Sequence, residues 1–209
     1  MNRLLLFFAM IFIIGCRSQS KKYFTGTIEY GYTYSSDSLN ADSLAKTRPS
    51  KSLIRYDTVN YQSKFIGVDT IVYYYSGRFN KSLFETGDLG NFECEDYGAF
   101  TGSVILYKLT DTDEKILGYG CKILEIQKKN SWLRYHVGND LKIAPATYRQ
   151  HISYNWDVYG DKANGGLILR SEHRFKYFTM KGTATAIELG AADFKALEID
   201  EKLFSQFCQ

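Results

Sequence analysis

The sequence predicts a mainly β protein, built as an antiparallel curved sheet or half-barrel with one or two short helices. Three observations point there. Between Tyr23 and Tyr34, Phe24, Gly26, Ile28, Tyr30, Tyr32 and Tyr34 fall on one face and Thr25, Thr27, Glu29, Gly31 and Thr33 on the other. That is the period-two pattern of a sheet wet on one side. The 209 residues also include 17 Tyr and 14 Phe against two Pro, a composition that suits pleated, half-buried surfaces. Finally, short apolar and aromatic runs alternate with Gly, Asn, Asp and Ser turns to give about ten strands, and a sheet that large curls.

The first element is not a strand. After Asn2 and Arg3, Leu4 to Ile14 is an unbroken apolar run of eleven residues, closed by Gly15 and Cys16. Crossing a bilayer takes roughly 18 apolar residues, so the run has the length of a secretory signal's hydrophobic region. Ile13-Ile14-Gly15-Cys16 resembles the lipobox of bacterial lipoproteins. The resemblance implies cleavage between Gly15 and Cys16, loss of residues 1–15 as a signal peptide, and a diacylglycerol on the Cys16 sulfur. The alternative is an ordinary signal peptide with a chance cysteine, or a buried helix. Residues 16–22 are then the lipidated cysteine and a short basic linker. Its six residues after Cys16 reach at most about 20 Å, which holds a single β-rich domain, residues 23–209, close to the membrane.

Ser35–Ser52 is polar and reads as a long loop with at most one helical turn around Ala41–Lys46. Strands follow at Ser52–Asp57, Tyr61–Ile66 and Asp69–Tyr75, with a two-residue hairpin signal at Ser76-Gly77 returning as Arg78–Glu85. Phe92–Tyr97 and Ser103–Leu109 continue the pattern, Thr110–Lys115 reads as a polar loop, and Ile116–Gln127 and Ser131–Val137 form the next pair. The pattern weakens from Gly138 to Asn164, where Pro145 suits the first turn of a short helix over Ala144–Ile152. Leu167–Phe178 and Met180–Leu189 are two long strands, with Gly182 marking a bend or bulge, and the tail Ala191–Phe207 is a short helix or an edge segment.

Chemistry-bearing constellations are sparse. His136, His151 and His173 lie far apart in sequence with no zinc-binding spacing, and His136 reads as a surface or rim residue. Asp111, Asp113 and Glu114 share one stretch but lack the calcium-loop spacing, so they read as a solvated hairpin tip. There is no nucleophile elbow, phosphate loop, CxxC or dinucleotide fingerprint; no cofactor, metal or catalytic residue is expected, and the chain reads as non-enzymatic. The formal charge of +3, with acids and bases interspersed, argues against a nucleic-acid partner. With Cys16 given to lipid, Cys94, Cys121 and Cys208 remain, and an exported chain permits a disulfide. Cys94–Cys121, both in strand-like runs, is the first choice; the alternative is small buried thiols. Ile28, Tyr30, Tyr32, Tyr73 and Tyr75 are the candidate ligand-binding residues, because aromatic rings sharing a strand face line hydrophobic cavities or form stacking platforms. The competing reading places the same rings in the core of a twisted sheet.

Gly118-Tyr-Gly-Cys121-Lys122, the partner-strand aromatics Trp132 and Tyr135, Gly165-Gly166-Leu167-Ile168 and Thr185-Ala186-Ile187 resemble a group of uncharacterised bacterial envelope domains. That group is in turn similar to the LolA/LolB-like superfamily of lipoprotein carriers and receptors. The resemblance implies an antiparallel half-barrel whose concave face, capped by helices, shelters acyl chains. It transfers no binding residue, and the superfamily's cavity-plugging helix has no obvious counterpart in the polar stretch Ser35–Ser52. The expectation is an envelope lipoprotein, anchored to a membrane, that binds a hydrophobic ligand or docks an envelope protein partner, with an envelope hydrolase as the third reading. Arg17, rather than aspartate, follows Cys16, which resembles the outer-membrane destination, facing the periplasm.

Overall fold

The structure, a computed structural model, describes residues 23–85, 91–98, 104–190 and 201–208. The expected signal peptide (1–15), the cleavage and lipid-attachment site at Gly15 and Cys16, and the linker to Lys22 lie outside these residues. The described chain forms one antiparallel sheet of eleven strands. In chain order they are β1 (Gly26–Ser35), β2 (Lys51–Tyr56), β3 (Asn60–Ile66), β4 (Thr70–Ser76), β5 (Lys81–Glu85), β6 (Phe92–Asp96), β7 (Val104–Ile116), β8 (Tyr119–Lys128), β9 (Trp132–Lys142), β10 (Gly166–Arg174) and β11 (Thr179–Leu189). Their spatial order is β6-β5-β4-β3-β2-β1-β11-β10-β9-β8-β7, leaving β6 and β7 as edges. Three short helices accompany the sheet, one more than expected: α1 (Ala41–Thr47), α2 (Trp156–Lys162) and α3 (Glu201–Phe207).

Local chemistry explains where several boundaries differ from expectation. Asn40 caps α1 by accepting the Ser43 amide at 2.9 Å, so the polar loop holds a seven-residue helix. The stretch Thr110–Lys115 is not a loop: β7 runs through it to Ile116. The hairpin turn is instead Leu117-Gly118, with φ of 51° and 85°, the doubly positive geometry that matches strand twist. A register shift between Asp111 and Lys115 breaks the alternation that would have marked the strand. Nor does Gly182 mark a bulge, because its pairing with Tyr32 and Ser171 is regular; the irregularity falls between Glu29 and Tyr30.

The expected helix at Ala144–Ile152 is a run of turns, and α2 begins only at Trp156. The amides of Ile152 and Ser153 both donate to the Tyr97 carbonyl, at 2.9 and 3.2 Å, which ties this segment to the end of β6. Tyr154 and Asn155 then take left-handed φ of 55° and 61° to turn the chain into α2.

Residues 143–165, which connect β9 to β10, pack on one face of the sheet, termed the inner face. Tyr61 on β3 stacks on Trp156 at 5.3 Å, Trp156 meets Tyr159 at 5.5 Å, and Tyr159 meets Tyr135 on β9 at 5.8 Å. Strands β3 and β9 are five positions apart, which in a flat sheet would separate them by about 24 Å. Three ring contacts bridge them, so the sheet is curled around this segment. The segment therefore supplies the plug that the polar Ser35–Ser52 stretch did not.

The outer face is covered at the β6 edge by α3. Phe204 stacks on Phe79 and Phe207 meets Phe92, each pair at 5.5 Å, and Lys81 Nζ donates to the Cys208 carbonyl at 2.7 Å. Cys94 on β6 is joined to Cys208 by a disulfide, not to Cys121, which is a free, buried thiol. Register gives the reason: Cys94 and its partner Leu83 point to the outer face where α3 lies, whereas Cys121 sits opposite Gly138 on β9, across the sheet.

Candidate ligand-binding face

The plug covers only one end of the inner face. Taking the end where β1 begins as proximal and the end where it finishes as distal, the connection 143–165 leaves and re-enters the sheet proximally. Its aromatic core is there. His151, fully buried, lies 4.4 Å from the Tyr97 ring, 4.8 Å from Tyr75 and 5.0 Å from Trp156, and its Nε2 shares a 2.9 Å hydrogen bond with the Tyr61 hydroxyl. Burial depresses the His151 pKa to about 3, so the ring is neutral at ordinary pH.

Of the candidate ligand residues, Ile28, Tyr30 and Tyr75 belong to this filled half. All three are buried; the Tyr30 hydroxyl donates to the Ile168 carbonyl at 2.5 Å and that of Tyr75 to Asn80 at 3.0 Å. These three lie in the hydrophobic core. Tyr32 and Tyr73 are different. Each lies two residues further from the proximal end than its buried neighbour on the same strand, Tyr30 or Tyr75, and is only partly buried, in a row that crosses five strands, β1 to β5: Tyr32 to Phe65 at 6.3 Å, Phe65 to Tyr73 at 5.8 Å, and Tyr73 to Phe84 at 5.5 Å. Buried Ser52 and Ser63 lie between the rings in register, and Ser52 holds the Tyr32 hydroxyl at 2.8 Å. Beneath Tyr32, Gly182 is obligatory, since a Cβ there would fall 2.6 Å from the ring. Burial raises the phenols of Tyr32, to about 12, and of Tyr73, and also raises the Glu95 carboxyl beyond the row.

This row is an uncharged aromatic floor able to hold apolar or flat ligand surface. Phe65 and Phe84 were missed as ligand candidates. Their signal was present in the alternation Tyr61, Ser63, Phe65, but nothing in the sequence says which rings the plug leaves uncovered. A separate cleft of about 250 Å³ beside α2 is rimmed by Lys122, Lys142 and Lys162, a different chemistry from the floor.

On the outer face, His136 is buried rather than at a rim. Its Nε2 lies 3.0 Å from Glu114 Oε2, and Arg170 on β10 bonds the other Glu114 oxygen. The irregular end of β7 thus reaches over β8 and β9 to β10, and Glu114 is a strap rather than part of a solvated tip. The Arg170 hydrogen bond holds the Glu114 carboxyl below its ordinary range. Burial lowers the His136 pKa, with the Glu114 charge opposing it. His173 meets the Tyr135 ring at 5.6 Å on the inner face, its pKa lowered by burial to about 4. The three histidines are not brought together. Among the described residues no group of three His, Cys, Asp or Glu side chains is placed to share a metal ion.

No family model and no curated protein matches the chain. Among solved structures it is similar to PNGF-II in two crystal forms, at 15% and 16% identity with TM-scores of 0.48 and 0.44. The matches cover 84% and 82% of this chain but 30% of PNGF-II, so the chain spans less than a third of that protein. It is also similar to the Mycobacterium tuberculosis lipoprotein LppX, at 8% identity and a TM-score of 0.38, over 80% of this chain and 89% of LppX. These likenesses assign neither ligand nor activity.

Proposed function

We propose that this protein is a non-enzymatic, membrane-anchored module of the bacterial envelope that shelters a hydrophobic ligand, a lipid or acyl chain, on the distal half of its curled sheet. One observation carries the reading: the row Tyr32, Phe65, Tyr73 and Phe84 is only partly buried, on the face where the strand rings Tyr30, Tyr56, Tyr61 and Tyr75 are buried. Covering one such ring is worth about 1.5–3 kcal/mol, so Phe65→Ser or Phe84→Ser is expected to weaken acyl-chain binding roughly tenfold or more. Titration of the purified full chain with a fluorescent fatty acid reads this, with mass spectrometry for co-purified lipid. Uptake that both substitutions leave unchanged, or no uptake at all, would remove the aromatic row from the function.

The anchor is proposed at Cys16, with the outer membrane, periplasmic side, as destination. Cys16→Ser is expected to shift the protein from the membrane fraction to the soluble fraction, or to stall its processing. Unaltered fractionation of a fully processed protein would sink the lipid anchor.

A second reading, a docking subunit for an envelope membrane-protein complex, is favoured by one feature. Strand β7 is a free edge on which Ile105, Leu106, Tyr107 and Leu109 are exposed, an arrangement that invites strand addition from a partner. Crosslinking through this edge to one stoichiometric partner, with no lipid on the aromatic row, would favour it.

A further inference from the structure

The distal end of the sheet carries a second unassigned feature, at its rim. The hairpin tip between β10 and β11, Phe175 to Phe178, is aromatic and exposed: Phe175 is 40% and Tyr177 55% accessible. It is also held in place. The Phe175 amide donates to the Phe178 carbonyl at 2.9 Å, the two Phe rings stack at 4.7 Å, and the Ser36 hydroxyl donates to the Tyr177 carbonyl at 2.5 Å. The Arg48 guanidinium covers Phe178 at 4.8 Å. On the adjacent strands Trp132 lies between the guanidiniums of Arg134 and Arg174, at 4.8 and 5.0 Å.

Charge concentrates at the same end. Three neighbouring distal connections, β1–β2, β10–β11 and β8–β9, with their flanks, residues 36–48, 172–179 and 128–134, contain seven Lys and Arg (Lys46, Arg48, Lys128, Lys129, Arg134, Arg174, Lys176) and three acids (Asp37, Asp42, Glu172), a net +4; the β3–β4 turn, further along the same end, adds one acid, Asp69. The whole chain carries +3, so everything else sums to −1. Of the acids, Glu172 lies 3.9 Å from Arg174, and Arg134 is paired with Glu125, just beyond the counted segment, at 2.7 Å. Exposed aromatics beside a net excess of bases match the two demands of a bilayer surface: rings settle at headgroup depth and bases over lipid phosphates.

We propose that this distal end docks on an anionic lipid surface, with Phe175 and Tyr177 inserted at headgroup level and Arg48, Lys129 and Lys176 over the phosphates. The docking does not require the aromatic floor to be occupied, but it places the floor's open end at the bilayer, since Tyr34, on the floor's face of β1, meets Phe178 at 6.5 Å.

The test is flotation of the full chain with vesicles of phosphatidylcholine alone and of phosphatidylcholine with 30% phosphatidylglycerol. Any binding through the apolar N-terminal run is common to both vesicles and to all variants. Binding is expected to rise with phosphatidylglycerol and to fall with salt. Each base removed should cost roughly fivefold in the anionic increment, so the double variant Lys129→Glu, Lys176→Glu should abolish it. Phe175→Ala with Tyr177→Ala should weaken binding to both vesicles. Lys115→Glu, an exposed base at the proximal end, should change nothing. Circular dichroism confirms that each variant is folded. An anionic increment that survives the double charge reversal, or that Lys115→Glu removes equally, overturns the proposal. Binding to heparin that competes with vesicles and ignores the aromatic substitutions also overturns it, showing a general polyanion surface.

Discussion

Reduction of the Cys94–Cys208 disulfide is expected to cost about 3–5 kcal/mol of stability and to release α3 from the outer face. The bond joins residues 114 apart in sequence, and cross-linking a loop of that order removes about 4–5 kcal/mol of denatured-state entropy in the chain-entropy account. The native contribution is local. Helix α3 has seven residues, too few to be stable alone, and Phe204, 2% exposed, has its packing only while the helix is docked. Losing it would also uncover Leu83, 1% exposed on the same face, and open the edge strand β6 to solvent. The measurement is the urea midpoint of the wild type and of the Cys94→Ala, Cys208→Ala double variant, which also prevents exchange with the buried Cys121 thiol. Identical midpoints would falsify the role of the disulfide. Hydrogen exchange should show fast amides in α3 and β6 while β1 and β11 stay protected.

Acidification is expected to destabilise the protein well above the pH at which most carboxylates titrate. His151 has a folded pKa of about 3 against about 6.5 in an unfolded chain, because protonation would place a cation among Tyr61, Tyr75, Tyr97 and Trp156. Between these values the unfolded chain binds a proton that the folded one refuses, so stability falls as pH drops from about 6.5 towards 3. At pH 5 the loss is about 2 kcal/mol from His151 alone. His173, with its pKa lowered to about 4, acts in the same direction, but its side chain is only half-buried and its share is smaller. Glu114 adds a further loss at lower pH: its carboxyl is held below 4.5 by Arg170, so its contribution disappears as pH falls through that lowered value. Urea titrations at pH 7 and pH 5 read the effect. The His151→Phe variant, whatever its own stability, should lose much less between the two pH values than the wild type. An equal loss in both would assign the acid sensitivity elsewhere.

The sheet was legible because strand chemistry is local. The tyrosines of β1 point to one side by period alone, and the structure keeps all of them there. Where the structure departs from that local pattern, the cause is contact between segments distant in sequence. Glu114 looked like part of a polar loop because its partners, His136 and Arg170, lie on strands two and three places away. Cys94 and Cys121 suggest a pair because both lie in strands, yet the cysteine that reaches Cys94 follows a short helix whose docking no periodicity announces. His136 looked like a rim residue because the strap that buries it is invisible from its own strand.

The candidate site follows the same division. Ile28, Tyr30, Tyr32, Tyr73 and Tyr75 are one kind of residue on one kind of face as far as sequence can tell. By itself the sequence determined that the chain makes a β sheet with an aromatic inner face, because alternation and ring content act within a few residues. Only the tertiary structure decided which rings became core and which stayed open. That choice belongs to the connection 143–165, which folds back over the proximal end and stops short of Tyr32, Phe65, Tyr73 and Phe84. The physical reason is that burial is a property of whatever comes to lie on top, and the covering segment is distant in sequence from Tyr30 and Tyr75, which it covers, and from Tyr32, Phe65, Tyr73 and Phe84, which it spares.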